Sequence, residues 1–252
     1  MKKQPYAALR PFVIITIFCS LFVACSKKDA MPTEFFGESM TLGSGTAKAY
    51  YRTDASGNPM EVGVIISDAA MNSLPHATSS TVLQLPAEAQ AKTPFKFLLF
   101  DYNHLGHEPA HVYDLPHFDI HVYTGTNEER LKINPSDAST AATPAAGFLP
   151  ADYVIPGGVV PQMGNHWIDV TAPEVNGAKF TNTFIYGSTN GKIIFYEPMI
   201  TSDFILATTH AHFLIKQPAK FEKSGYFPSE YCVLHNTAAK QYEISLQEFA
   251  MK

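Results

Sequence analysis

The chain has 252 residues, 46 % of them hydrophobic and 16 % charged, and 23 acidic against 18 basic residues give it a formal net charge of −5. That balance argues against nucleic acid and anionic membrane surfaces as partners. Eighteen prolines and fifteen glycines exclude long helices as the main architecture.

Lys2, Lys3 and Arg10 precede an apolar core, residues 12–23, which ends in Ala24-Cys25. A basic start, a short apolar run and a small residue at the cut describe a secretory signal. Leu21-Phe22-Val23-Ala24-Cys25 resembles the lipobox of bacterial lipoproteins, which implies cleavage before Cys25 and lipidation of its thiol. The alternative is a membrane anchor, but a dozen residues fall short of the ~20 that span a bilayer. The expected location is the cell envelope, with the protein lipid-anchored on the extracytoplasmic side of a bacterial membrane. Removing residues 1–24 takes three basic residues and no acid, which leaves 15 basic against 23 acidic residues, a net of −8. Cys19 leaves with the signal and Cys25 takes the lipid, so Cys232 has no partner for an internal disulfide.

Residues 25–40 read as a tether and residues 41–252 as a single β-rich domain. Short apolar or alternating runs recur between turn signals, the pattern of an all-β protein. Residues 47–53 and 61–66 flank Ala55-Ser56-Gly57-Asn58-Pro59 as a hairpin, and strands follow at 81–85, 95–101 and 117–123. Thr126 and Glu129 have capping-box spacing, so 127–133 is a short helix. Residues 134–161 are loop-like. Residues 180–189 and 192–200 form a hairpin around Asn190-Gly191, whose type I′ turn would pair Thr189 with Lys192, Tyr186 with Phe195 and Phe184 with Glu197. A helical turn at 201–206 and strands at 212–215, 231–235 and 242–246 complete the chain. The expected fold is an antiparallel β-barrel or two-sheet sandwich with one or two short helices.

Five of the ten histidines fall between His104 and His121, interleaved with Glu108, Asp114 and Asp119 and free of Lys and Arg. Neutral imidazole is a frequent metal ligand, and carboxylates complete such shells. In a strand, His117, Asp119, His121 and Tyr123 share one face and Phe118, Ile120 and Val122 the other. The polar face is either solvated sheet or the lining of a pocket. At ~3.3 Å per residue, His117 and His121 are about 13 Å apart at Cα, so Asp119 with one histidine is an easier ligand pair than both histidines. Asp119 can instead orient a ligating imidazole. Glu197 stands on an otherwise apolar face, where a carboxylate needs a cation, a metal or a proton. His166 shares its face with Ile168 and Val170 and reads either as a hydrogen-bonded core residue or as a ligand. Together His117, Asp119, His121, His166 and Glu197 form a candidate site for a Zn-like divalent transition metal. The set resembles those of β-barrel metalloenzymes such as the cupins, without their His-x-His pair at this position.

His210-Ala211-His212 has that i, i+2 spacing but no acid near it in sequence, and the loop Gly106-His107-Glu108-Pro109 offers His107 or Glu108. His76, His104, His111 and His235 read as ordinary structural residues. There is no Gly-x-Ser-x-Gly elbow and no phosphate-binding glycine loop. Cys232 and His235 point to opposite faces of a strand, and residues 54–61 lack the alternating acids of an EF-hand.

Three blocks, residues 112–123, 163–167 and 183–187 with 195–201, resemble a bacterial family of unknown function with a structurally studied thermophile relative under extracytoplasmic-sigma-factor control. The resemblance runs from about residue 45 onward. It implies a secreted β-domain and a homo-oligomer, and no established activity. The reading is a metal-binding envelope lipoprotein, with hydrolysis or isomerisation by metal-activated water as the class if it is an enzyme. The alternative is a non-enzymatic binding or scaffold protein.

Overall fold

Two antiparallel sheets stack on each other in a computed structural model that describes Met1 and residues 32–252. Met31–Lys252 make one compact unit. The signal sequence and Cys25 lie outside the described residues. The strands are β1 (Thr33–Leu42), β2 (Gly45–Thr53), β3 (Pro59–Ser67), β4 (Ser79–Gln84), β5 (Phe97–Asn103), β6 (His117–Tyr123), β7 (Tyr153–Val154) and β8 (Asn165–Asp169). They continue with β9 (Asn182–Thr189), β10 (Lys192–Thr201), β11 (His210–Leu214), β12 (Tyr226–Phe227), β13 (Glu230–Asn236), β14 (Gln241–Gln247) and β15 (Ala250–Met251). One sheet has the order β1-β2-β3-β14-β13-β11, the second β4-β5-β6-β10-β9-β8-β7, and β12 pairs with β15. Neither large sheet closes on itself, so the sandwich, not the barrel, is the architecture.

Residues 33–40 belong to β1 rather than to a tether. The strand alternates between exposed and half-buried positions along an edge, a weak period that Gly37 and the flanking polar residues obscure. Among the described residues the helices number four rather than one or two: α1 (Asp68–Met71), α2 (Ala87–Lys92), α3 (Asn127–Arg130) and α4 (Ser202–Ala207). All are six residues or shorter. Side-chain caps from Ser67, Thr126 and Thr201 start three of them, and Thr126 with Glu129 completes the capping box.

Alternation in the central strands divides the apolar residues into two layers. Phe118, Ile120 and Val122 of β6, with Phe184, Tyr186 and Tyr196, face the other sheet and meet Tyr51, Val62, Val64 and Ile244 in the main core. The opposite face of the seven-stranded sheet carries Phe97, Leu99, Tyr123, Ile185, Phe195 and Met199, covered by loop residues Tyr113 and Phe180. The polar face of β6 is therefore roofed by loops, and every residue from His117 to Tyr123 is buried.

A bulge in β10 corrects the expected hairpin register. Lys192 pairs with Thr189 as the Asn190-Gly191 turn dictates, but the register then shifts between Ile193 and Phe195. Phe195 pairs with Gly187, Tyr196 with Tyr186 and Glu197 with Ile185. The extra residue, Ile194, turns Glu197 away from Phe184 and Tyr186 and towards the loop-covered face.

Candidate metal centre

The register of β6 against its neighbours assembles the site. Asp101 of β5 pairs with Asp119, Asn103 with His117 and Leu99 with His121. On the other side, Met199 pairs with Asp119 and Phe195 with Tyr123, which sets Glu197 across from His121. His166 of β8 pairs with Gly187, the partner of Phe195. The missing side chain at Gly187 matters, because a Cβ there would lie 2.0 Å from the Phe195 ring. That ring packs against both imidazoles, with its centroid 4.9 Å from that of His121 and 5.2 Å from that of His166.

The five residues expected at the site fall into two groups. His121, His166 and Glu197 form one, each offering a ligand atom within 4.8 Å of the others. His121 Nε2 stands 3.3 Å from Glu197 Oε1. His117 and Asp119 form the second with His107, which reaches in from the loop after β5. The distance argument made Asp119 with one histidine an easier pair than both histidines, and His117 falls in the group with Asp119 while His121 falls in the other. A cavity of about 580 Å³ opens on both, with His107, Asp119, His121, His166 and Glu197 on its wall. Val160, Met163, Ile168 and Met199 make much of the rest, and among the described residues no Lys or Arg lines it.

Burial and repulsion set the protonation states. Burial pushes the Glu197 carboxyl well above its ordinary value, and the nearby Asp119 and Asp101 charges push it further. Burial likewise raises Asp101 to about 7, against a hydrogen bond with Ser80, with help from the Asp119 charge. Burial lowers His121 to about 3 and the half-buried His166 to about 4, so both rings are neutral at neutral pH. Asp119 is also buried, yet its contacts with His107 and His117 hold it below the usual carboxylate range. For His107, burial acts downward and is outweighed by Asp119, with a net rise. The buried atoms His121 Nδ1, Glu197 Oε2 and Asp101 Oδ1 have no hydrogen-bond partner.

Asp101 and Asn103 did not stand out in the sequence, whereas His107 was offered by its loop as an alternative to Glu108. Asp101 ends an apolar strand, Phe-Leu-Leu-Phe-Asp, and a carboxylate in phase with Phe97 and Leu99 was the available signal. His107 is placed by the backbone of its loop, which no periodicity reports. His210 and His212 lie on edge strand β11, where the close carboxylate comes from a neighbouring strand: His212 Nδ1 is 3.5 Å from Glu230 Oε2, and Cys232 completes a further group of possible ligands. His235 pairs with Asp68 at 3.0 Å and stacks on Tyr242.

A family model described as "TTHB210-like: Hypothetical protein TTHB210" matches residues 54–102. The matched segment precedes all three blocks that carry the sequence resemblance. It includes Asp101 and none of the imidazoles around the cavity. No curated protein and no solved structure matches the chain.

Proposed function

We propose that this is a lipid-anchored, extracytoplasmic protein whose β-sandwich binds a divalent transition metal ion, Zn-like in its preferences, through His121, His166 and Glu197. The observation that carries the reading is the convergence of three ligand atoms within 4.8 Å, two of them 3.3 Å apart, from buried or half-buried groups. Two bonds of ~2.0–2.1 Å meeting at a tetrahedral angle place their ligand atoms about 3.3 Å apart. Burial keeps both imidazoles neutral, the form in which they ligate. Three protein ligands leave a fourth position towards the cavity, the arrangement of catalytic rather than structural zinc sites. A metal there supplies Lewis acidity and an activated water, so hydrolysis or isomerisation of a small molecule is the class of chemistry that fits. The apolar wall and the lack of Lys or Arg favour a molecule without strong negative charge.

Elemental analysis of protein purified without a polyhistidine tag tests the metal. Metal is expected in wild type and depleted in Glu197→Gln and His121→Gln; metal-free wild type that also takes up none on titration favours a scaffold or binding role. The anchor rests on the sequence around Cys25. A tagged fatty acid should label wild type and not Cys25→Ser, and equal labelling removes the lipoprotein reading. Self-association, implied by the resemblance, completes the proposal, and light scattering at the mass of a single chain would overturn it.

A further inference from the structure

Beside the proposed ion, the second group of side chains has a geometry that protons alone do not explain. His117 Nδ1 lies 2.6 Å from the carbonyl oxygen of Leu115, and His107 Nδ1 lies 2.6 Å from that of Glu108. A carbonyl oxygen only accepts, so both Nδ1 atoms carry their hydrogens and donate. In the neutral rings the lone pairs are then on Nε2, and both point at Asp119. His107 Nε2 is 3.1 Å from Asp119 Oδ2, in hydrogen-bond geometry for a protonated ring, and His117 Nε2 is 3.0 Å from Asp119 Oδ1 without that geometry.

Lone pairs of imidazole and carboxylate facing each other at 3 Å repel unless a cation joins them. A proton on each ring would supply one form of cation. For His117 Nε2 and Asp119 Oδ1, however, the contact is close without meeting hydrogen-bond geometry, and both atoms are buried with no other partner among the described residues. Ligands of one ion show this geometry: close together, with lone pairs converging on a point beside the line between them. The surroundings also match those of a metal site. Each imidazole has its tautomer and ring orientation fixed by a backbone carbonyl, and Asn103 Nδ2 donates to Asp119 Oδ2 at 2.7 Å, fixing the carboxylate.

We infer that the cleft holds two divalent metal ions, the second bound by His107 Nε2, His117 Nε2 and the Asp119 carboxylate. This inference rests on the proposed reading of the same cleft for its first ion. His107 and Asp119 line the cavity wall that also includes His121, His166 and Glu197, while His117 is fully buried behind it. A molecule in the cavity thus comes within reach of both proposed ions, either of which would polarise it or activate a water. Hydrolysis of an uncharged ester or amide bond is the class of reaction this arrangement takes.

The test is a zinc titration of chelator-stripped protein against a chromophoric competitor, with the bound ions counted per chain. Every variant is made in a His212→Gln background, so that the His210–His212–Cys232 group adds nothing to the count. Two ions are expected in the background protein and one in each of His107→Gln and His121→Gln, with none in the double variant. Asp119→Asn should behave like His107→Gln, and the far-UV spectrum of each variant shows whether it is folded. One ion in the background, lost in His121→Gln and kept in His107→Gln, overturns the second ion and leaves the first standing. One ion lost only in His107→Gln overturns the pair and moves the proposed site. Two ions surviving in His107→Gln also overturn the assignment, and no ion in the background protein removes both readings.

Discussion

Two carboxyls of the cleft are held towards their protonated forms, and each makes a prediction. Asp101 rises from its ordinary 3.8 to about 7 in the folded chain. The folded protein therefore retains a proton that the unfolded chain has lost, and the resulting stabilisation is complete below about pH 4 and lost as pH rises through 7. The difference amounts to about 4 kcal/mol. Asp101→Asn cannot lose that proton, so in metal-free protein the variant should gain on wild type steadily between pH 4 and pH 8. Urea midpoints measured across that window check it, and a constant difference would mean that Asp101 titrates normally. Glu197, also raised, must give up its proton to ligate a metal. Zinc binding near neutral pH should release about one proton, read by calorimetry in buffers of different ionisation enthalpy. Glu197→Gln should release none from this position and bind zinc more weakly; equal release would mean that Glu197 is not a ligand.

Among the elements, β6 and the β9–β10 hairpin carry the site, and they differed in how far the sequence revealed them. The span of β6 and its two faces were legible, because Phe118, Ile120 and Val122 alternate strictly with His117, Asp119 and His121. The hairpin turn was legible from Asn190-Gly191, but its register was not. A single inserted residue leaves no mark on composition, and Ile193, Ile194 and Phe195 are all apolar, so no polar position shows where the phase changes. The cost of that ambiguity was the environment of Glu197: Ile185 and Gly187 in place of Phe184 and Tyr186. Gly187 is the check on this geometry. Its missing side chain lets the fully buried Phe195 ring pack against both His121 and His166. Gly187→Ala should force that ring aside, with a destabilisation of about 1–3 kcal/mol from overpacking and weaker zinc binding through the displaced imidazoles. If stability falls while zinc affinity is unchanged, Phe195 does not position the ligands.

At the scale of the whole molecule, the main core and the cleft lie on opposite faces of one sheet. The all-β class could be read from strand patterning, but the choice between barrel and sandwich could not, since closure depends on which strands form edges. The loop layer over the seven-stranded sheet was also hidden, because residues 104–116 and 134–164 lack the periodicity of any regular element. This layering separates folding from metal binding. The core between the sheets draws on Tyr51, Val64, Phe118, Tyr186 and Ile244, across the sheet from the proposed ligands, so the stripped protein should remain folded at 25 °C. Metal should nevertheless stabilise it, because ions that bind only the folded chain add about 2.7 kcal/mol at a hundredfold excess over Kd. For a domain of this size each kcal/mol moves Tm by about 2–4 °C. One ion should therefore raise Tm by about 5–11 °C, and a second by a similar amount. Scanning calorimetry of chelator-treated and zinc-loaded protein measures it, with His107→Gln losing part of the shift and His107→Gln/His121→Gln losing all of it. A Tm unchanged by zinc, or a shift that survives in the double variant, would place any bound metal outside the cleft.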